Sequence, residues 1–118
     1  MRIGLNLLHV LPEITGVWGY LDGLLDALAR HGGDTRFVAF VTAASEALVP
    51  ADGRFQVVRV PLRSSIRPLR VLFENTVLPG LAGRRGIDTM HHFAGTLPLG
   101  AAVPSVVTVY DLLVFADP

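Results

Sequence analysis

The chain has 118 residues, enough for one hydrophobic core, and its 51% of hydrophobic residues excludes intrinsic disorder. Ten arginines balance ten acidic residues, and the resulting zero net charge argues against a nucleic-acid partner or a polybasic membrane patch. There is no cysteine, which excludes disulfides, thiolate zinc sites, iron–sulfur clusters and cysteine nucleophiles.

The first predicted element is a strand over residues 2–8. Its apolar residues do not alternate strictly, which is typical of a strand buried on both faces of a parallel sheet. After a loop, Thr15 is placed to cap a helix that carries Gly16 in its first turn and ends at the pair Gly32-Gly33. The apolar face of this helix consists of Val17, Leu21, Leu24, Leu25 and Leu28.

Two more strands are predicted at residues 36–42 and 55–60, with a short helical piece at 43–48 between them. A second helix is predicted to begin at Ser64-Ser65, to carry Pro68 in its first turn and to be kinked or ended by Pro79. One further turn is expected around Leu81-Ala82. The expected buried face of the second helix consists of Leu69, Leu72, Phe73, Thr76 and Val77.

A fourth strand is predicted at residues 87–92 and a fifth, rich in β-branched residues, at 105–110, with a loop between them. This order of strands and helices predicts an α/β fold with a mostly parallel, Rossmann-like sheet and flanking helices. The strand residues expected in the core are Ile3, Leu5, Val38, Phe40, Val57, Met90, Val107 and Val109. In such sheets ligands bind outside the carboxyl ends of the strands, which selects residues 9–20, 91–97 and 110–115.

Each candidate site in these segments has a functional and a purely structural interpretation. Gly16, at a helix N-terminus, would let the backbone approach a phosphate, or Gly16 and Gly19 simply permit a tight turn. The complete glycine signatures for dinucleotides and for the P-loop are absent. His91 and His92 are adjacent in a strand and point to opposite faces, so they do not share a metal. One of them either binds a hydroxyl-rich ligand or caps the strand end.

Three acidic residues are further candidates. Asp111, next to Tyr110 at the end of the fifth strand, is placed for ligand chemistry or caps the next turn, and the cap is the more common role. Glu13 lies in a polar loop, and Glu74 either braces a loop or faces water. The chain has no G-x-S-x-G elbow on which a hydrolase triad would be built.

The sequence resembles a known enzyme family over nearly the whole chain, from Met1 to Pro118. In its order and spacing of short motifs it is similar to the N-terminal domain of family 4 (group 1) GT-B glycosyltransferases, and mannosyl- and rhamnosyltransferases fit best. The motifs that carry the resemblance are MRIGLN, TGVWGYLDGLLDAL, ENTVLP, IDTMHHF and PSVVTVYDL.

The resemblance implies roles for individual residues. Gly16 and Val17 would lie near the donor phosphates, and Tyr110 and Asp111 at the catalytic position. Tyr110 stands where the family usually has a histidine, in Thr108-Val109-Tyr110-Asp111-Leu112. The family's Gly-x-Gly-Arg-Tyr helix start here reads Gly16-Val17-Trp18-Gly19-Tyr20. The residues expected to bind the acceptor are His91, His92, Phe93 and Thr96.

Family members of this kind place the active site between two Rossmann-like domains. The resemblance therefore implies that residues 1–118 are the acceptor-side part of a retaining glycosyltransferase, and that the donor-binding domain with its Glu-x7-Glu motif lies outside this chain. The donor would be a nucleotide-diphosphate sugar, and the acceptor a carbohydrate or lipid-linked molecule of a cell-envelope polysaccharide. Neither a metal nor another cofactor is expected, and neither is a nucleic-acid partner.

The chain by itself is expected to be inactive and to self-associate through its C-terminal region, since it ends directly after a strand-like run. No apolar run reaches the roughly 18–20 residues of a membrane span. We expect a cytoplasmic protein, whose full-length parent associates peripherally with the inner face of a membrane. The alternative function is a stand-alone Rossmann-like binding or interaction module without catalysis.

Overall fold

The computed structural model describes residues 1–12, 15–61, 66–93 and 104–107. Within these residues the chain forms five strands, three α-helices and one short 3-10 helix. The strands are β1 (Arg2–Asn6), β2 (Arg36–Val41), β3 (Phe55–Arg59), β4 (Thr89–His92) and β5 (Ser105–Val107). The helices are α1 (Thr15–His31), α2 (Arg67–Thr76) and α3 (Leu78–Arg84), and the 3-10 helix is Glu46–Leu48.

All five strands are parallel and form one sheet in the order β3-β2-β1-β4-β5. The chain runs outward from β1 to β3 and then returns to the other side of β1, where it adds β4 and β5. The predicted α/β fold with a Rossmann-like parallel sheet is thereby confirmed at the level of its architecture. The order of strands reverses between β1 and β4, so these two strands flank the topological switch point.

One face of the sheet packs against α1. Leu21 and Leu25 of α1 are buried among strand residues such as Leu5, Phe37 and Val41, and Val17, Leu24 and Leu28 pack around them. The predicted apolar face of this helix is therefore confirmed. The spacing of its leucines follows the 3.6-residue period, which leaves one stripe that can enter the core.

The other face of the sheet packs against α2 and α3. Its core consists of Leu8, Val38, Phe40, Val60, Leu78, Ala82, Ile87 and Met90. Gly4 of β1 lies directly under this layer, and a Cβ atom built on it would overlap the sulfur of Met90. The close approach of Met90 therefore favours glycine at this position of the central strand.

The predicted buried face of α2 is wrong. Leu69, Leu72 and Val77 are 44%, 59% and 46% exposed, and Thr76 is exposed as well. Phe73 is the one member of the predicted face that packs against the second core. The helix instead turns Phe73 and the polar residues Arg70 and Glu74 inward, because polar strand residues lie beneath it, as described below.

Other differences from the prediction have local causes. Val57 is 42% exposed, because β3 is an edge strand that presents much of its surface to solvent. The predicted break of the second helix near Pro79 is confirmed, because α2 ends at Thr76 and Pro79 lies in the first turn of α3, where its missing N–H costs nothing. The helical piece after β2 is only the 3-10 turn. Upstream of it the Thr42 N–H donates to Ser45 Oγ (3.1 Å), a local bond that competes with an α-helix.

Candidate functional site

Asn6 of β1 and His92 of β4 meet at the carboxyl end of the sheet, at the switch point. They are neighbours in the register of the two strands, and 3.0 Å separates Asn6 Nδ2 from His92 Nδ1. Both side chains are buried, with 1% and 3% of their surface exposed. Asn6 follows the buried apolar residue Leu5 in β1, and its hydrogen bond to His92 explains how a buried amide is tolerated there.

The Asn6 amide fixes the proton position on the His92 ring. The Leu8 N–H donates to Asn6 Oδ1 (3.2 Å), so the amide nitrogen is the group that faces the histidine. An amide nitrogen only donates, and therefore His92 Nδ1 accepts and Nε2 carries the proton of the neutral ring. Burial, and to a smaller degree His91, lowers the pKa of His92 to about 4, which keeps the ring neutral near pH 7.

His9 follows β1 at the same edge. Both of its ring nitrogens are shielded from solvent and make no hydrogen bond of ordinary geometry to any part of the chain that the structure describes. Burial and the nearby Arg70 charge lower its pKa to about 4, and the Phe93 backbone acts weakly in the opposite direction. A neutral imidazole therefore lies beside a guanidinium, and among the described residues its ring nitrogens complete no well-aligned hydrogen bond.

Arg70 and Glu74 form an ion pair on the inward side of α2. Arg70 Nε lies 3.4 Å from Glu74 Oε1, and the two side chains are only 14% and 5% exposed. Neither of these atoms completes a well-aligned hydrogen bond. Burial raises the pKa of Glu74, while the Arg70 charge and, less strongly, the Asn6 amide oppose the rise. In such a buried pair, the attraction between the charges offsets the cost of removing both groups from water.

Together these residues form a buried polar group that we call the carboxyl-edge cluster, consisting of Asn6, His9, Arg70, Glu74 and His92. It joins both strands of the switch point to α2. It combines a neutral amide, two neutral imidazoles and a compensated ion pair. The cluster carries no net charge, and its polar atoms include both hydrogen-bond donors and acceptors.

His91 points to the opposite face of β4 from His92, as predicted from the alternation of side chains in a strand. Its ring stacks on Phe93, with the ring centroids 4.1 Å apart and an interplanar angle of 18°. Burial lowers the pKa of His91. Phe93 is fully buried in the core on the α1 side. At this edge of the sheet, His91 and Phe93 therefore lie on the α1 face, and His92 lies on the opposite face.

Gly16 and Val17 lie in the first turn of α1, after the carboxyl end of β1. Gly16 is exposed, and a Cβ atom added to it would meet nothing within 4 Å. Neither Gly16 nor Gly19 has a positive φ, and both lie inside the helix. Neither glycine therefore forms a turn within the described residues, and the fold of these residues does not require glycine at position 16.

Several predicted site residues lie outside the described residues: Glu13, Thr96, Tyr110 and Asp111. The residues that sequence reasoning missed are Asn6, His9 and Arg70, and Glu74 was placed facing water or a loop. Two signals pointed to them. An asparagine in a strand buried on both faces needs a partner. In addition, Arg70 and Glu74 are four residues apart, which places them on one side of a helix.

Comparison with protein-family models, with curated proteins and with solved structures finds no match for this chain. Across residues 1–12, 15–61, 66–93 and 104–107, no group of three or more histidine and acidic side chains is arranged to hold a metal ion. No helix in this same part of the chain is long and apolar enough to cross a membrane.

Proposed function

We propose that the chain is the acceptor-side domain of a retaining GT-B glycosyltransferase, as its resemblance to that family implies. The observation that carries the proposal is the buried Asn6–His92 pair at the switch point of a β3-β2-β1-β4-β5 parallel sheet. Ligands of open parallel sheets bind at this point. The pair lies within two of the motifs on which the resemblance rests, MRIGLN and IDTMHHF.

The chemistry of the carboxyl-edge cluster suits a carbohydrate acceptor. A sugar presents hydroxyl groups that both donate and accept, and neutral histidine and asparagine side chains do the same. The cluster also keeps its one strong cation, Arg70, paired with Glu74. The site would orient an acceptor through hydrogen bonds. Reaction with the donor then depends on holding both molecules in a productive geometry.

Gly16 supports a place for the donor diphosphate at the same carboxyl edge of the sheet, on the face that α1 covers. The N-terminus of the 17-residue α1 carries partial positive charge and N–H groups that have no partner within the helix, and both favour an anion. The fold leaves open space around Gly16, and in this proposal the donor diphosphate approaches through that space. In the proposed parent, the nucleotide and most of the diphosphate charge are held by a second domain.

The second candidate function is a stand-alone binding or interaction module. The observation that favours it is a set of exposed apolar side chains on and beside α2: Ile66, Leu69, Val71, Leu72 and Val77. Solvent-exposed apolar surface of this kind is common at protein interfaces. A reading frame that continues past Pro118 into a second α/β domain with a Glu-x7-Glu motif supports the transferase, and a stop codon there supports the module.

The test of the proposal is radiolabelled sugar transfer from a panel of nucleotide-diphosphate sugars to carbohydrate and lipid-linked acceptors. The full-length parent is expected to transfer sugar, and the 118-residue chain to show none and at most weak acceptor binding. Transfer by the 118-residue chain alone, or a folded parent that is inactive with every donor while the short chain self-associates, would contradict it. Sedimentation velocity measures the self-association in parallel.

A further inference from the structure

A second polar surface lies at the amino edge of the sheet, opposite the carboxyl-edge cluster. Arg2 begins β1, Arg36 begins β2, and Arg54 directly precedes β3, so three neighbouring strands each bring one arginine to this edge. They surround an open depression of about 450 Å³. Its lining also includes Phe37, Val38, Gly53 and Gln56.

Arg2 and Arg36 are held side by side on one face of the sheet. They are Cα partners in the parallel register of β1 and β2, and parallel partners project to the same face. Each guanidinium is anchored by one bond to a backbone carbonyl. Arg2 Nη1 donates to Arg85 O (2.6 Å), and Arg36 Nη1 donates to Gly53 O (3.4 Å). Both side chains are exposed. Each guanidinium has five N–H donors and uses one of them in the carbonyl bond just described.

The carboxylates nearby do not neutralise these two side chains. Asp52 pairs with Arg54 (3.0 Å), and Arg36 is the weakest of the influences that lower the pKa of Asp52. Asp88 Oδ2 accepts the backbone N–H of Arg2 (2.8 Å). No carboxylate of the described residues lies within ion-pair distance of the Arg2 or Arg36 guanidinium. Asp34 also acts on Arg54, so the three carboxylates nearby are directed at Arg54 and at the Arg2 backbone, and the Arg2 and Arg36 guanidinium groups keep their charge without an ion-pair partner among the described residues.

Arg54 forms the rigid wall of the depression. Its guanidinium donates to the carbonyls of Gly33 and Ala29 at the end of α1 and to the Asp52 carboxylate. These contacts occupy the Arg54 side chain and fix the turn that precedes β3. The N–H donors that remain for a ligand are therefore those of Arg2 and Arg36. The exposed Gln56 amide lies on the same face of the sheet.

We propose that this depression binds the phosphate group of a small phosphorylated metabolite, with Arg2 and Arg36 as the phosphate ligands. Two N–H groups of one guanidinium can donate parallel hydrogen bonds to two oxygens of one phosphate. The volume exceeds that of a bare phosphate and falls in the range of small-molecule sites, so the rest of the ligand is a polar group of sugar size against Gln56. The site lies at the edge opposite the proposed acceptor site and is independent of the glycosyltransferase proposal.

The test is a titration of the ¹⁵N-labelled chain with glucose 1-phosphate and with inorganic phosphate at constant ionic strength. Amide resonances of residues 36–38 and 53–56 are expected to shift and saturate with a Kd of about 1 mM or lower. Arg36→Gln should weaken binding at least about tenfold, and Arg36→Lys, which keeps the charge but not the fork, should weaken it less. The amide spectrum of each variant reports whether the fold is intact.

The matched control is Arg30→Gln on α1, an exposed arginine paired with Asp26 on the helix surface. It removes the same charge and should change the Kd less than about twofold. Shifts that never saturate, or an equal loss in the Arg30→Gln and Arg36→Gln variants, would overturn the proposal. So would Arg36-dependent sedimentation with phosphatidylglycerol vesicles in the absence of saturable binding of either soluble probe, because the surface would then recognise an anionic membrane.

Discussion

Asn6 Nδ2 donates to Nδ1 of His92 across 3.0 Å, and this buried bond ties the central strand of the sheet to the strand at which the chain order reverses. The same amide accepts the N–H of Leu8 through Oδ1. One asparagine therefore shapes the turn after β1 and sets the tautomer of the histidine that ends β4. Asn6 therefore stabilises the fold and also belongs to the proposed ligand-binding site.

Replacing Asn6 by alanine should destabilise the chain by about 1–3 kcal/mol. The change leaves His92 Nδ1 and the Leu8 N–H buried without this partner, and an unsatisfied buried group costs that much. Urea unfolding measures the loss. Asn75→Ala is the control, since Asn75 bonds to Val71 O at the surface of α2, and its effect should stay within about 0.5 kcal/mol. Equal effects of the two substitutions would contradict the proposed importance of the Asn6–His92 bond.

Stability should decrease as the pH falls from about 6.5 to about 4. His9 and His92 have folded pKa values of about 4, below the ordinary value of 6.5, so the unfolded state binds more protons throughout this interval. Their contribution is complete above pH 6.5 and is lost on acidification, by up to about 3 kcal/mol for each ring. Glu74, whose pKa is raised, opposes part of this loss, because its protonated form is favoured in the folded state.

The measurement is urea unfolding from pH 4 to pH 7.5. Substitution of His9 by phenylalanine should flatten the acid limb of the stability curve, because one of the two rings no longer titrates. His31→Gln, at the exposed end of α1, is the matched control and should leave the limb unchanged. A curve that stays flat between pH 6.5 and pH 4 in the unsubstituted chain would show that the two rings are not buried in their neutral form.

Replacing only Glu74 of the Arg70–Glu74 pair should destabilise the chain more than replacing both residues by apolar ones. Glu74→Leu leaves the buried guanidinium of Arg70 without its counter-charge and should destabilise the chain by about 3–5 kcal/mol. The double substitution Arg70→Met with Glu74→Leu should recover most of this loss, since no charge is then buried. Thermal and urea unfolding of the single and double variants test this expectation. A double variant as unstable as Glu74→Leu would mean that apolar side chains do not fit beside Asn6.

Two glycine substitutions should have opposite effects on stability. Gly16→Ala adds a methyl group in open space within a helix and should stabilise the chain by up to about 1 kcal/mol. Gly4→Ala drives a methyl group into Met90 and should destabilise it by about 1–3 kcal/mol. Thermal unfolding of both variants distinguishes them. Destabilisation by Gly16→Ala would show that the first turn of α1 makes a contact that requires glycine.

In the proposed full-length parent, Gly16→Trp should abolish most sugar transfer while the domain remains folded. The bulky ring would block the approach of the donor phosphates to the N-terminus of α1. Radiolabelled sugar transfer is the assay, and circular dichroism is the control for folding. Undiminished transfer by a folded Gly16→Trp parent would contradict the assignment of Gly16 to the donor phosphates.

The architecture and the buried face of α1 were predictable from the sequence by itself. Apolar runs without alternation indicate strands buried on both faces, and the leucine spacing of α1 leaves a single stripe for the core. Both signals are local, because each depends on residues within one element. The choice of the carboxyl edge for the candidate site followed from the predicted order of strands and helices, since ligands of open parallel sheets bind at that edge.

Only the tertiary structure decided which side of α2 faces the sheet. Leu69, Leu72 and Val77 share a helical stripe with Phe73, and the hydrophobic pattern favours burying all four. The residues beneath the helix include Asn6 and His92, however, which are fixed by their own strands, and α2 turns Arg70 and Glu74 toward them. A buried polar group needs a partner, and the partner of the Asn6 amide is His92, which lies 86 positions away along the chain, where no local pattern reveals it.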